Sequence, residues 1–373
     1  MADSSEASSG ADVVRILILN WRDIRSPRAG GAEHLTHEVA RRLVARGHEV
    51  TWFTSRPRGT EAREEIDGVR VVRRGTELTT RLAAPAFVRR RTFDVVVEQV
   101  NTLPYFAPFW ARVPTVLWVN QLAREVWWHE APWPLAAVGY VSEPVYLRAY
   151  RRVPVLTISD STRDDLRRLG LRGTIDVMPM AVDTPAVDSL APRAVEGQLV
   201  AVGRLTPSKR YDHAIRALAI LRDTYASATL TIAGEGRDRE RLERLAAELG
   251  LVDAVRLPGS VSHEQKTELL TAADVLVGCS VREGWGLTVT EAARRGTPSV
   301  AYDIPGFRDS IDDGATGLLT APEPEALAGG VRRLLDDPIL YARLRETAWR
   351  RSLDLDWDAT AAFCEQAIKR SCS

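Results

Sequence analysis

Two glutamates, Glu283 and Glu291, stand on either side of a glycine-containing turn that opens a helix. Before them, Asp274-Val-Leu-Val-Gly is a short apolar run of the kind that forms a buried strand. Beyond them, Gly296 and Pro298 stop a helix and admit the next strand. The stretch 278–298 therefore reads as a strand end, a turn and the first turns of a helix. In open α/β sheets, ligands sit at such carboxyl ends of strands. The amides of Gly286, Leu287 and Thr288 open the helix unpaired and can receive an anion. Glu283 falls just before that opening, and Glu291 falls one turn inside it on the same side as Leu287. An anion site flanked by two carboxylates suits a ligand with a phosphate in the middle and hydroxyl groups at both ends. Thr288-Val-Thr-Glu291 also has capping-box spacing. The residues alone thus leave Glu291 open between a ligand contact and a helix cap, and Glu283 open between a ligand contact and a loop charge.

A second cluster is cationic. Val202-Gly-Arg-Leu-Thr-Pro-Ser-Lys-Arg ends one strand and opens a helix. A strand-end Arg204 and a Lys209 at the positive end of a helix dipole are locally unfavourable without an anion. They read as a diphosphate clamp rather than as solvated surface charges. Gly30-Gly31 precedes the first helix, where the missing side chains allow a phosphate or sugar to approach the backbone; a tight turn explains them as well. The dinucleotide fingerprint spacing and the nucleoside-triphosphate phosphate loop are both absent. Asp354-Leu-Asp356 has the form of a metal clamp but falls between C-terminal helices, so no protein-held metal is expected.

These residues need a scaffold, and the hydrophobic pattern supplies one. Strand-like runs at 15–20, 48–54, 69–73, 93–98, 115–119 and 155–159 alternate with helices at 32–46 and 161–169. The pattern lapses over 183–197, where Thr184-Pro-Ala-Val-Asp-Ser-Leu-Ala-Pro-Arg reads as a linker. It restarts with strands at 199–202, 229–233, 255–257, 275–277 and 299–301, helices at 211–225 and 239–249, and a helical tail over 325–368. The expectation is two Rossmann-like, doubly wound halves facing across a cleft. The expected divisions are a disordered tail (1–13), a first domain (14–190), a second domain (191–354) and a final helix (355–373).

With 373 residues and 45% hydrophobic content, the chain can bury two sizeable cores. Fifty basic and fifty acidic residues leave no net charge, which weighs against a nucleic-acid binder. Cys279, Cys364 and Cys372 are too few and scattered for a disulfide framework, so a reducing cytoplasm is expected. Residues 1–10 lack the apolar core of a signal peptide. The nearest approach to a membrane span, 100–119, is broken by Pro104, Pro108, Arg112 and Pro114. Aromatic residues crowd into one region: Tyr105, Phe106, Phe109, Trp110, Trp118, Trp127, Trp128 and Trp133. This is either core, an apolar acceptor pocket, or a patch that touches a membrane, at its inner face.

Taken together, the motifs resemble the retaining nucleotide-sugar glycosyltransferases of the GT-B fold, specifically glycosyltransferase family 4. In the second half the likeness rests on Gly203-Arg-Leu-Thr-Pro-Ser-Lys209, Ala233-Gly-Glu-Gly236, Leu257-Pro-Gly259 and the Glu283/Glu291 pair. In the first half it rests on Gly30-Gly31-Ala-Glu33, Thr157-Ile-Ser-Asp-Ser-Thr162 and Val177-Met-Pro-Met-Ala-Val-Asp183. The resemblance implies that Arg204 and Lys209 neutralise the donor diphosphate and that Glu291 holds the ribose. It implies that Glu283 faces the donor sugar, that backbone groups of Gly284, Trp285, Gly286 and Leu287 line sugar and phosphate beside Thr288, and that Val261 lies near the base. It further implies a nucleoside-diphosphate hexose as donor, UDP-linked ahead of GDP-linked, and a hydroxyl acceptor that is lipid-linked, part of the cell envelope or a small molecule. Anomeric configuration is retained, no metal or other cofactor is needed, and the last helix crosses back to the first domain.

Two positions depart from the pattern. Asn120 stands where many relatives carry a His against the donor sugar, and Pro179-Met180-Ala181 stands for Pro-Asn-Gly. Asn can still donate a hydrogen bond but cannot titrate. Two other readings share the fold or the ligand: a nucleotide-sugar epimerase, and a non-catalytic sugar-nucleotide binder.

Overall fold

The computed structural model describes residues 13–372. The expected N-terminal tail, save Val13, lies outside the described residues. The first half contains strands β1 (Arg15–Leu19), β2 (Glu49–Thr54), β3 (Arg63–Ile66), β4 (Val69–Arg73), β5 (Val95–Gln99), β6 (Thr115–Val119), β7 (Val155–Thr157) and β8 (Ile175–Val177). Its helices are α1 (Gly31–Ala45), α2 (Thr80–Val88), α3 (Val126–Glu130), α4 (Trp133–Leu147) and α5 (Asp160–Arg168). The second half contains β9 (Gln198–Val202), β10 (Thr229–Ala233), β11 (Val255–Gly259), β12 (Val275–Gly278), β13 (Ser299–Tyr302) and β14 (Gly317–Thr320). Its helices are α6 (Tyr211–Arg222), α7 (Arg239–Glu248), α8 (His263–Ala272), α9 (Leu287–Arg294), α10 (Phe307–Ser310), α11 (Pro324–Asp336), α12 (Pro338–Leu353) and α13 (Trp357–Cys372).

Each half folds on its own sheet. The first runs β3-β4-β2-β1-β5-β6-β7-β8, parallel throughout except for β3, which pairs antiparallel with β4. The second runs β11-β10-β9-β12-β13-β14 and is wholly parallel. Parallel strands are buried on both faces, so their sequences are nearly continuous apolar runs, as in Val95-Val96-Val97 and Val275-Leu276-Val277. Strand alternation divides the first sheet's core. Val95, Val97, Val116 and Trp118 face α1 and α13, whereas Val96 faces the α2 side and Leu117 and Val119 face α4 and α5. The final helix crosses back: Trp357, Cys364, Ala367 and Ile368 of α13 sit in the first sheet's core beside Leu35 and Val39 of α1.

The order of strands reverses between β1 and β5 in the first sheet and between β9 and β12 in the second. These are the topological switch points, where crossovers diverge to opposite faces and leave a crevice. The loops after β1, β9 and β12 carry Gly30-Gly31, Arg204 with Lys209, and Glu283. The fold therefore delivers most of the predicted site residues to the two crevices. The β1–α1 loop is fixed from below by a fully buried ion pair, in which Arg73 Nε donates to Asp23 Oδ2 at 2.6 Å.

Candidate active site

Glu283 follows β12 in a loop whose path is set by Gly306, which has φ +90°; a Cβ there would lie 2.4 Å from the Glu283 carbonyl oxygen. Both the left-handed backbone and the close approach require glycine. The Glu283 carboxylate accepts from Lys209 Nζ at 2.5 Å and from Ser280 Oγ at 2.6 Å. Lys209 ends a 3₁₀ turn, Pro207–Lys209, that enters α6. The two clusters inferred separately from sequence are thus one cluster. Arg204 is exposed and, among the described residues, makes no ion pair. Its charge reaches Glu33, the buried carboxylate that accepts from Gly30 N–H at 2.9 Å. Burial holds the Glu33 carboxyl above its usual range, against that hydrogen bond and the charges of Arg22 and Arg204.

Helix α9 begins with Gly286 at its N-cap, φ +88°, and no side chain caps it. The N–H groups of Gly286, Leu287 and Thr288 donate to no acceptor among the described residues. Thr288 lies inside the helix, so the capping-box alternative for Glu291 is corrected: Gly286 is the N-cap, two residues before Thr288. Glu291 is buried and accepts instead from Lys266 Nζ of α8 at 2.6 Å. Glu291, Lys266, Leu287, His263, Gly31 and Trp357 line a cavity of about 170 Å³. Val261 is half-buried in the turn just before α8. The Trp285 ring faces a different groove, beside Asp160 and Asp309, and its Nε1 donates to Thr290 Oγ1 at 2.9 Å.

Asn120 directly follows β6 and is buried; its Oδ1 accepts from Trp118 Nε1 at 2.7 Å, and its Nδ2 has no partner. Its backbone meets the second half, since a Cβ on Gly284 would lie 2.8 Å from the Asn120 carbonyl oxygen. Asn120 and the Glu283 loop are therefore neighbours across the cleft. Asp354-Leu-Asp356 lies at the α12–α13 junction, where Asp356 Oδ2 accepts from Ala359 N–H at 2.9 Å. Among the described residues, one group of metal-type donors has ligand atoms within 4.8 Å of one another: His34, Glu38 and Asp183. Its atoms are already engaged, Glu38 with Arg41 and Arg42, and Asp183 with His34 and Trp357 Nε1. It ties α1, the linker and α13 together.

Sequence reasoning missed the residues that join the two halves. Arg282 reaches Glu125 at 2.9 Å and Asp165 at 2.7 Å in the first half. Glu130 of α3 accepts from Ser208 Oγ at 2.5 Å and from Arg237 at 3.1 Å. These partners lie far apart in sequence and no local spacing announces them. A polar group at the ends of β1 and β5 was also missed. Thr36 Oγ1 donates to Gln99 Oε1 at 2.8 Å and Asn101 Nδ2 to Asn20 Oδ1 at 3.2 Å, while the buried Gln99 Nε2 has no partner.

Two α/β units built on largely parallel sheets, with a C-terminal helix returning to the first, define the GT-B class of glycosyltransferase. A match to the Glycosyltransferase Family 4 description covers residues 29–185, and one to Glycosyl transferases group 1 covers 188–351. The chain is 30% identical over 397 aligned positions to glycogen synthase of Mycobacterium tuberculosis, covering 95% of this chain and 94% of that protein. Among solved structures it is similar to sucrose-phosphate synthase from Thermosynechococcus elongatus, with a TM-score of 0.80, 22% identity and 95% and 98% coverage of the two chains. It is also similar to HepE of Anabaena in complex with UDP-glucose, with a TM-score of 0.72, 19% identity and 96% and 99% coverage. The chain belongs to the group 1 glycosyltransferases and is a sugar-transferring enzyme.

Proposed function

We propose that the enzyme moves a hexose from a nucleoside-diphosphate sugar, UDP-linked ahead of GDP-linked, to an acceptor hydroxyl with retention of anomeric configuration. The observation that carries this reading is the Lys209–Glu283 pair at the end of β12, beside the unpaired amides that open α9. Lys209, Arg204 and those amides would receive the diphosphate and stabilise the charge that builds on it as the glycosidic bond breaks. They would do so without a metal ion or other cofactor, so transfer is expected to persist in EDTA. The unpartnered Nδ2 of Asn120 would donate to the donor sugar, and Glu291 would accept from both ribose hydroxyls. The 170 Å³ cavity beside Glu291 is smaller than pockets that hold nucleoside-sized ligands. Donor entry would therefore part Lys266 from Glu291. The relative in complex with UDP-glucose supports a uridine donor. The acceptor would be lipid-linked, part of the cell envelope or a small molecule, and would enter from the first half.

Incubation with a panel of UDP- and GDP-sugars and candidate acceptors tests the reading. Nucleoside diphosphate release with a product of retained configuration is expected. An epimerised free nucleotide sugar, or binding without turnover, would replace it with one of the two rival readings. For Glu291, loss of hydrogen bonds to a charged group costs about 1.5–3 kcal/mol. Glu291→Ala is thus expected to weaken nucleoside diphosphate binding by about one to two orders of magnitude, read by titration calorimetry. Unchanged binding would remove Glu291 from the site.

A further inference from the structure

We infer that the outer surface of the α2–α4 layer is a docking face for an anionic lipid bilayer. This surface is outside the cleft, and its test does not depend on the donor reading. Helix α4 buries Ala136, Gly139, Glu143 and Leu147. Outward it presents Leu135, Val138, Val141 and Val145, with Trp133 at its start; Trp133 is 75%, Val138 64% and Val141 65% exposed. Its sole charged residue, Glu143, points inward and accepts from the Ala123 and Arg124 N–H groups at 2.7 and 2.8 Å. A helix apolar on both sides is expected in a core or at a membrane, not facing water.

The apolar surface continues onto neighbouring elements. Phe106 and Phe109 are exposed on the 3₁₀ turn after β5, and Leu78 and Leu82 on and just before α2. Phe106 stacks on Tyr150, with ring centroids 6.3 Å apart, and Tyr146 Oη donates to Thr102 O at 2.7 Å, so the turn abuts α4 and the residues just after it. The turn is built to display its ring. Phe106 adopts φ +57°, uncommon for a bulky residue, and the loop wraps the buried Glu98 carboxylate, which accepts from the N–H groups of Tyr105, Phe106 and Ala107.

The occupant follows from charge. Each crossover of this layer returns to its strand through exposed arginines: Arg89, Arg90 and Arg91 before β5, Arg112 before β6, and Arg148, Arg151 and Arg152 before β7. None of the seven forms an ion pair among the described residues, and Asp94 on the same edge is taken by Arg15. In a chain with no net charge, this places a cationic edge beside an apolar face. That combination fits acyl chains under phosphate headgroups. A nucleic acid would find no use for a valine stripe, and the α4 face of a second copy would offer these arginines no carboxylate, since Glu143 points inward. No helix among the described residues is long and apolar enough to cross a membrane, so contact would be peripheral.

The test is co-sedimentation of the full chain with phosphatidylglycerol–phosphatidylcholine vesicles and with pure phosphatidylcholine vesicles. Binding to the anionic vesicles, weakened by salt, is expected. Each arginine near such a surface contributes about five-fold, so Arg148→Ala/Arg151→Ala/Arg152→Ala should lower partitioning by roughly two orders of magnitude. Val138→Asp/Val141→Asp should lower it at least about ten-fold. Ile339→Asp, at a still more exposed position on α12 of the other half, should leave it unchanged and controls for folding. Equal binding by all variants, or no preference for anionic vesicles, would overturn the proposal. Concentration-dependent dimers abolished by Val138→Asp/Val141→Asp would overturn it in favour of a second copy.

Discussion

Lys209→Ala is expected to lower the transfer rate by about two to three orders of magnitude, the usual cost of removing one donor aimed at developing charge. The geometry makes the loss twofold in kind. Lys209 would no longer neutralise the diphosphate, and Glu283 would lose the ammonium that lies 2.5 Å from its carboxylate. An unneutralised carboxylate at the end of β12 then faces an incoming dianion. Arg204 offsets the loss only in part, because it is exposed and its charge already acts on Glu33. The fold should survive, since Lys209 closes a single 3₁₀ turn and is absent from the core. The measurement is single-turnover nucleoside diphosphate release, with an unfolding curve on the same sample. A rate within ten-fold of the wild type on an intact protein would remove Lys209 from the clamp.

Much of the scaffold was legible because parallel strands announce themselves as apolar runs. The spans 115–119 and 229–233 coincide with β6 and β10. β3 was not legible: Arg63-Glu-Glu-Ile carries three charges and is a strand because it pairs with the edge of β4. α4 escaped for the opposite reason. A helical period is read from the alternation of apolar and polar faces, and Trp133–Leu147 has no polar outer face to alternate with. The property that hides α4 in the sequence is the one that marks it as a docking surface. The aromatic cluster divides along the same line. Tyr105 and Trp118 are core, whereas Phe109 and Trp133 lie on the surface. At the site, residue types and strand-end position could be read, but pairing could not. Glu283 with Lys209 and Glu291 with Lys266 bring together residues 74 and 25 apart, and only the sheet order makes them neighbours.

Asp23→Ala is expected to destabilise the protein by about 3–5 kcal/mol, the cost of leaving a buried charge without its partner. Asp23 and Arg73 are both fully enclosed, 2.6 Å apart. Arg73 also lies 2.8 Å from Glu64 and donates to the Glu61 carbonyl, while its Nη2 has no partner. Glu64 is partly exposed, so it offsets the loss of Asp23 only in part. Asp23 does local work as well, since its Oδ1 accepts from Arg25 N–H at 2.7 Å and its carbonyl from Ser26 N–H at 3.0 Å. Those bonds hold the β1–α1 loop that leads to Gly30-Gly31, so transfer should fall at temperatures well below unfolding. Removing both charges tests the electrostatic account. Because a buried pair is costly to desolvate, Asp23→Leu/Arg73→Met should recover most of the stability lost in Asp23→Ala. Urea unfolding of the three proteins, followed by tryptophan fluorescence, measures both effects. If Asp23→Ala lies within about 1 kcal/mol of the wild type, or the double variant is the least stable of the three, the pair does not anchor the loop.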